Sequence, residues 1–458
     1  MIMFSKKIIF LIFFVALTSG FFWNQKMFGQ PIGSDQTLYD SVAKNLLSGR
    51  GFTYQGQEAG IEPLYPLFLA GIYGVLGHNY DAVRIVQIIL FALTVVFIYF
   101  LAEKVFNKKI AIWSFLAVAL FYGLANQAGN ITTEILFTFL IILFVYALFK
   151  YFHNSNYGSI WWLAVSGIVL GLAALTRGIV QFLPLFIAVN IFIVYRRKLP
   201  IKKISLAAGI FIAGFLLVLI PWVARNRLTN VGVAIVPRGG EILYARAELM
   251  ENLYTNYPAH FIGHLFGYYF SQKIYPDVSS AAFRETPITE QRVGNLLKEG
   301  KSYAEIDRIL TVEAKNKIFG TPHKYILMSL LDFISFNSPI IPRGSLWGNT
   351  LTIHPMFAEG RHAQIPEWAK AGIIIGIRGI WFLFLFLAIY GAVKIAKNWA
   401  LSGWLILIVV YFNLAYSAIH AIPRYALPIY PFYVILAVVG ISILWEKLKA
   451  KKLLSLQV

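Results

Sequence analysis

Apolar runs of about 18 residues or more recur along this chain, and they constrain its fold more than any motif does. A run of that length, wound as a helix rising 1.5 Å per residue, crosses the roughly 30 Å of a bilayer's hydrocarbon core. The runs do not alternate polar with apolar residues, which sets aside an outer-membrane barrel. Ten spans are predicted, near residues 8–23, 82–102, 110–128, 135–152, 160–176, 179–195, 204–223, 371–393, 399–419 and 426–445. Two further apolar stretches, 64–76 and 325–341, are short or interrupted by proline and polar residues, and read as interfacial or re-entrant helices. The fold class is therefore an all-α polytopic membrane protein with about ten, and up to thirteen, transmembrane helices.

The first run follows a short basic start, Met1 to Lys7, as a secretory leader would. No small-residue cleavage site follows it, and Phe21, Phe22 and Trp23 read as an interfacial aromatic anchor, so it is expected to stay as the first span.

Charge orients the array. The chain carries 40 Lys and Arg against 21 Asp and Glu, a net +19. With the N-terminus inside, the short inner segments hold seventeen of those 40 basic residues and two of the 21 acids, Glu103 and Glu446. They include Lys6–Lys7, Lys108–Lys109, Arg196–Lys198, Lys202–Lys203 and the lysines after Glu446. That is the positive-inside pattern, so the excess is read as a signal of orientation, not of nucleic-acid binding. Both termini are expected in the cytoplasm, the protein in the plasma (inner) membrane, and the active site on the extracytoplasmic side. With no cysteine, disulfides, thiolate catalysis and cysteine metal sites are excluded.

Two outer segments are long: 24–81, and 224–370, which carries a helical pattern at 289–317 and reads as a small cap. The expected organisation is a transmembrane catalytic module at 1–223 that includes the first outer loop, the cap at 224–370, and C-terminal helices at 371–458. Function is expected on the outer loops, because the inner ones are short.

Four groups carry candidate chemistry there. Residues 33–77 hold Asp35, Asp40, Glu58 and Glu62, with Leu38, Val42, Leu46 and Leu47 spaced for one helical face. Gly129 to Glu134 form a short loop into the fourth span. Arg177, Arg225 and Arg227 stand at outer helix ends. His420 to Tyr425 precede the last span. Carboxylates and arginines beside a bilayer suit a phosphate-bearing lipid and an acid–base step, since arginine binds phosphate in a bidentate fashion and a carboxylate can accept a hydroxyl proton. Blander readings stand beside these. The arginines can snorkel to headgroups or end a span, and Asp35 and Glu134 can serve as helix caps. Asp40 reads as a surface acid.

Three other motifs carry little. Asn130-Ile131-Thr132 fits a glycosylation sequon in too short a loop. Gly294 to Ser302 resembles a P-loop, with one residue too many between its glycines and no preceding strand. His354 and His362 flank a weak metal-loop candidate.

In order, the segments SDQTLYDSVAKNLLSGRGF, EPLYPLFLAGIYGVLG, TTEILFTFLIIL, GLAALTRG, PWVARNR and IPRYALPIYPFYVILA resemble the GT-C superfamily of integral-membrane glycosyltransferases. The likeness is to the family 39-type enzymes, similar to protein O-mannosyltransferases and the lipid A aminoarabinose transferase. It covers most of the chain and is weakest across 240–370. The resemblance implies a polyprenyl-phosphate-linked sugar as donor, transfer on the outer face and inversion at the anomeric carbon. It makes Asp35 the candidate base, Glu134 the second-loop acid, and Arg424 and Tyr425 the pair near the donor phosphate. Arg177, Arg225 and Arg227 are added as phosphate ligands, and Glu62, Tyr65 and His420 as cavity residues. This sequence departs from the pattern twice: Asp35 is followed by Gln36 where many relatives carry a second acid, and Glu62-Pro63-Leu64 stands where the aminoarabinose transferase has a basic residue. An Asp-x-Asp metal motif is absent, so the expected reaction is metal-independent. The expected partners are the lipid-linked donor, an unspecified acceptor and membrane lipids, with no nucleic acid. Two other functions remain open: a transporter or flippase of lipid-linked sugar, and an oligosaccharide ligase or polymerase. Charges gathered at one face, not at mid-span, favour the transferase.

Overall fold

The computed structural model describes residues 2–33, 35–153, 160–229, 232–236, 238–277, 287–339, 350–351, 363–364 and 366–454, and in these the apolar runs are helices. In lipid a helix satisfies its own backbone hydrogen bonds, so the apolar runs have little other choice. Among the described residues eight helices are long and apolar enough to cross a membrane: Lys6–Asn24, Tyr80–Val105, Glu134–His153, Gly178–Tyr195, Ile201–Leu228, Ala371–Asn398, Ser402–Ile419 and Pro423–Ala450. The protein is a multi-pass helical membrane protein.

In chain order the N-terminal helices are α1 (Ile2–Asn24), α2 (Asp35–Leu47), α3 (Leu64–Leu76), α4 (Tyr80–Val105), α5 (Lys108–Ala119), α6 (Tyr122–Gln127), α7 (Glu134–His153), α8 (Ile160–Thr176), α9 (Leu183–Tyr195) and α10 (Ile201–Leu228). A two-residue antiparallel ladder, Thr53–Tyr54 with Gln57–Glu58, sits between α2 and α3. The 64–76 stretch is a 13-residue helix, too short to span, as expected for an interfacial element. The run predicted as one span over 110–128 is instead two helices. Phe121 adopts an extended conformation between α5 and α6, and its ring packs edge-on against Tyr430 at 5.1 Å.

The structure divides into two units. One comprises Met1–Pro221, Leu383–Tyr411 and Leu427–Val458; the other comprises Trp222–Phe382 and Phe412–Ala426. The first unit is built on close helix crossings. A Cβ at Gly167 of α8 would collide with the carbonyl of Phe211 on α10, and one at Gly214 of α10 would lie 2.6 Å from the carbonyl of Ala164. Small residues let backbones approach closely where lipid supplies no hydrophobic drive. The same device, with Gly391 and Gly440, joins α17 (Glu367–Ile395) to α19 (Tyr430–Leu454).

The second unit holds α11 (Gly239–Thr255), α12 (Tyr257–Phe266), α13 (Tyr268–Ile274), α14 (Pro287–Lys298), α15 (Tyr303–Gly320) and α16 (Pro322–Phe336). Tyr244, Ala247, Leu296, Ile306, Leu310 and Ala314 form a core there. The helical pattern of 289–317 is broken at 299–302, where Ser302 and Glu305 form a capping box for α15. The P-loop-like segment 294–302 thus ends one helix and starts the next. His354 and His362 lie outside the described residues. α18 (Trp399–Ile419) leads through the 3-10 turn Pro423–Ile429 into α19.

Candidate functional site

In the first unit the candidate residues gather on four segments, and backbone hydrogen bonds explain their placement. Gln87 of α4 is fully buried. Its amide donates to the carbonyls of Ala128 (3.0 Å) and Asn130 (2.7 Å), while Tyr65 donates to its oxygen at 2.9 Å. Gln36 accepts from the amide of Ile131 at 3.1 Å. The short loop before Glu134 is therefore pinned from two sides. Gln36, where many relatives carry an acid, here serves as a neutral acceptor for backbone.

Glu134 opens α7 with no exposed surface, and Arg177 meets it at 2.8 Å while donating to the Thr133 hydroxyl at 2.8 Å. A carboxylate at that depth needs a charged partner, and Arg177, itself 15% exposed, supplies it. Glu62 accepts from the amide of Gly178 at 2.8 Å, which ties the start of α3 to the turn after α8. Asp35 is exposed in the first turn of α2, where a negative charge suits the helix dipole; the residue before it lies outside the described set.

One side chain links these charges. The Tyr39 phenol is pushed well above its usual range, by burial first, then by Glu62, with Glu134 and Asp35 adding to the rise and Arg177 opposing it. Three candidate acids and one candidate arginine thus act on a single neutral hydroxyl, whose ring meets Tyr65 edge-on at 5.1 Å. Tyr39 was not singled out in the sequence; its place one turn beyond Asp35 was the available signal.

Asp40 corrects an expectation. It is 3% exposed, not a surface acid. Tyr73 donates to it at 3.0 Å, Lys44 Nζ lies 3.0 Å away and His78 Nε2 2.7 Å away. Burial alone would raise its pKa; the hydrogen bonds from His78, Lys44 and Tyr73 outweigh burial and hold it below the usual value.

The remaining candidates belong to the second unit. Arg225 lies over the Trp222 ring at 5.0 Å and reaches Asn226 at 3.2 Å; Asn226 in turn donates to the carbonyl of Ala234 at 2.9 Å. α10 runs through both arginines to Leu228, with Arg227 exposed. After α18 the chain turns, with the Tyr425 amide donating to the Ile422 carbonyl at 3.0 Å. Tyr425 stacks on Tyr416 at 5.2 Å, and Tyr416 stacks on Phe336 at 5.2 Å. The Arg424 guanidinium lies 5.9 Å from the Tyr425 ring centre, and the His420 ring lies 6.1 Å from it. The structure thus brings Arg424, Tyr425 and His420 into one cluster. Among the described residues no three His, Asp or Glu side chains gather as a metal site.

Residues 60–224 match the family model described as dolichyl-phosphate-mannose-protein mannosyltransferase. An uncharacterised protein of Aquifex aeolicus is 28% identical over 180 residues, 38% of this chain and 36% of that one. The archaeal oligosaccharyltransferase AglB from Archaeoglobus fulgidus superposes over 99% of this chain, with TM-score 0.55 and 16% identity for its apo form. Its complex with an inhibitory peptide and a dolichol-phosphate gives a TM-score of 0.54 at 13% identity. This chain has the GT-C fold. It spans about half the length of the AglB structures it matches, 52% in each case. Glu62, Tyr65, Glu134 and Arg177 fall inside the segment matched by the family model; Asp35, Arg225, Arg227, His420, Arg424 and Tyr425 fall outside it.

Proposed function

We propose that this protein is an inverting glycosyltransferase that moves a sugar from a polyprenyl-phosphate donor to a hydroxyl acceptor at the outer face of the membrane. The observation that carries the reading is the set of charges around Tyr39: an exposed acid, Asp35, beside a buried acid fixed by arginine, in a chain of GT-C fold. The relative whose structure contains a dolichol-phosphate lends support to a lipid-phosphate donor.

In the proposed step Asp35 takes the acceptor's hydroxyl proton as that oxygen bonds to the anomeric carbon. The bond from that carbon to phosphate oxygen breaks on the opposite side, and the polyprenyl phosphate leaves with the electron pair. Phosphate is a good leaving group at neutral pH, so the chemistry calls for cations and not for a strong acid. Arg424, with Tyr425 beside it, and Arg225 and Arg227 supply hydrogen bonds and charge to that oxygen as it becomes more negative. Glu134 and Arg177, paired with each other, hold the wall beside Tyr39 in place. Glu62 and His420 are assigned to contacts with the sugar or acceptor; Tyr65, fully buried and donating to Gln87, supports the fold of its own unit instead.

Purified protein incubated with a radiolabelled polyprenyl-phosphate sugar and cell-envelope acceptors is expected to release polyprenyl phosphate. Asp35→Asn is expected to slow that release about 10²- to 10⁴-fold, the usual worth of a general base. Wild-type rates in that variant remove Asp35 from the role. Movement of label across vesicles without release of polyprenyl phosphate replaces the transferase with a flippase.

A further inference from the structure

The end of α18 is capped by side chains from two other helices. A helix leaves its last four carbonyls without intrahelical partners. Here Arg246 of α11 donates to the carbonyls of Ser417 and Ile419, each at 2.8 Å. Tyr325 of α16 donates its hydroxyl to the carbonyl between them, that of Ala418. Asp332 of α16 pairs with Arg246 and also accepts from the amide of Ala421 at 3.4 Å. The Arg246 guanidinium lies over the Tyr325 ring at 4.8 Å and donates to the Ser329 hydroxyl at 2.8 Å. The side chains of Arg246 and Asp332 are 1% and 4% exposed. A cation at a helix C-terminus also complements the dipole.

We propose that Arg246, Asp332 and Tyr325 form a clamp that fixes the turn at residues 420–425, so that Arg424 and Tyr425 are set to hold the donor's phosphate. Arg246 is then a positioning residue for phosphate binding. The inference rests on the phosphate role proposed above for Arg424 and Tyr425. A buried ion pair is a costly way to join helices, since apolar residues of similar volume commonly do as well or better for stability. What the pair supplies is direction: one fork grips two carbonyls, and its partner grips the Ala421 amide, the second beyond the helix. Lysine cannot reproduce that fork, because it carries a single ammonium.

The test is a double-mutant cycle on the full-length protein in detergent, with a short-chain polyprenyl phosphate as probe and the matching polyprenol as control. Arg246→Lys is expected to weaken binding of the phosphate about tenfold, to leave polyprenol binding unchanged, and to cause no further loss in an Arg424→Ala background. Wild-type affinity in Arg246→Lys, or an equal loss with and without Arg424, overturns the clamp. If Arg246→Lys does not fold, Arg246→Met combined with Asp332→Leu removes both charges without stranding either, and the same two criteria apply. Arg424→Ala with wild-type phosphate affinity is a different result: it overturns the phosphate assignment itself.

Discussion

Asp40 and Asp35 are five residues apart on α2 and have opposite surroundings. Asp35 faces outward at the first turn, while Asp40 is held among Tyr73, His78, Lys44 and Tyr80. The hydrogen bonds that keep Asp40 charged give its carboxylate a folded pKa below the unfolded one. Its contribution to stability is therefore complete above the unfolded value of about 3.9, and is lost as pH falls through the lowered folded value. Asp40→Asn is expected to reduce stability at pH 7 by about 1.5–3 kcal/mol, the range for hydrogen bonds to a charged group, and to flatten the acid limb of the stability profile. Thermal unfolding of both proteins across that pH range measures it; parallel profiles sink the idea. The spacing of Asp40 and Lys44 was readable as an i, i+4 pair. His78 was not, because only the fold of α3 brings it back to α2. Asp332 left a fainter trace: it is an acid among apolar residues in the second half of α16, which calls for a partner without naming it, whereas Arg246 shares α11 with Glu241 and Glu248 and carried no such sign.

Hydrophobic run length located most of the helices but not how they cross. α8 and α10 meet where Gly167 and Gly214 let each backbone approach the other. Gly167→Val places two methyl groups and a Cβ against the Phe211 carbonyl, and overpacking of that kind costs about 1–3 kcal/mol. Gly209, also on α10, has nothing within 4 Å of the corresponding Cβ position. Gly167→Val is therefore expected to lower the unfolding temperature in detergent, and Gly209→Val to change it little; equal shifts count against the crossing. Both glycines read from sequence as ordinary residues of apolar spans. The break between α5 and α6 was hidden for a related reason. No proline or glycine marks Leu120 and Phe121, and the Phe121 ring is held by Tyr430, more than three hundred residues later in the chain.

At the scale of the molecule, residues 383–411 and 427–458 belong with the first 221 residues although the two stretches of the second unit, Trp222–Phe382 and Phe412–Ala426, interrupt them in sequence. Contacts such as Trp399 donating to Asn190 at 2.9 Å and Tyr411 donating to the Ile179 carbonyl at 2.6 Å make that union, and hydropathy carries no record of them. Charge carries a different kind of global information. The surplus of Lys and Arg on alternate loops predicts cytoplasmic termini and an extracytoplasmic first loop, because basic loops resist translocation. The chain has no cysteine, so a single introduced thiol reports its own side without background. Gln55, exposed in the turn of the Thr53–Glu58 ladder, and Arg197, exposed between α9 and α10, are suited to the comparison. Gln55→Cys is expected to react with a membrane-impermeant maleimide in intact cells. Arg197→Cys is expected to react only after permeabilisation. The reverse pattern inverts the protein in the membrane and places Asp35 on the cytoplasmic side, where a donor presented at the outer face cannot reach it. Labelling of both in intact cells breaks the assumed number of crossings between α2 and α10 and leaves only the first loop assigned to the outside.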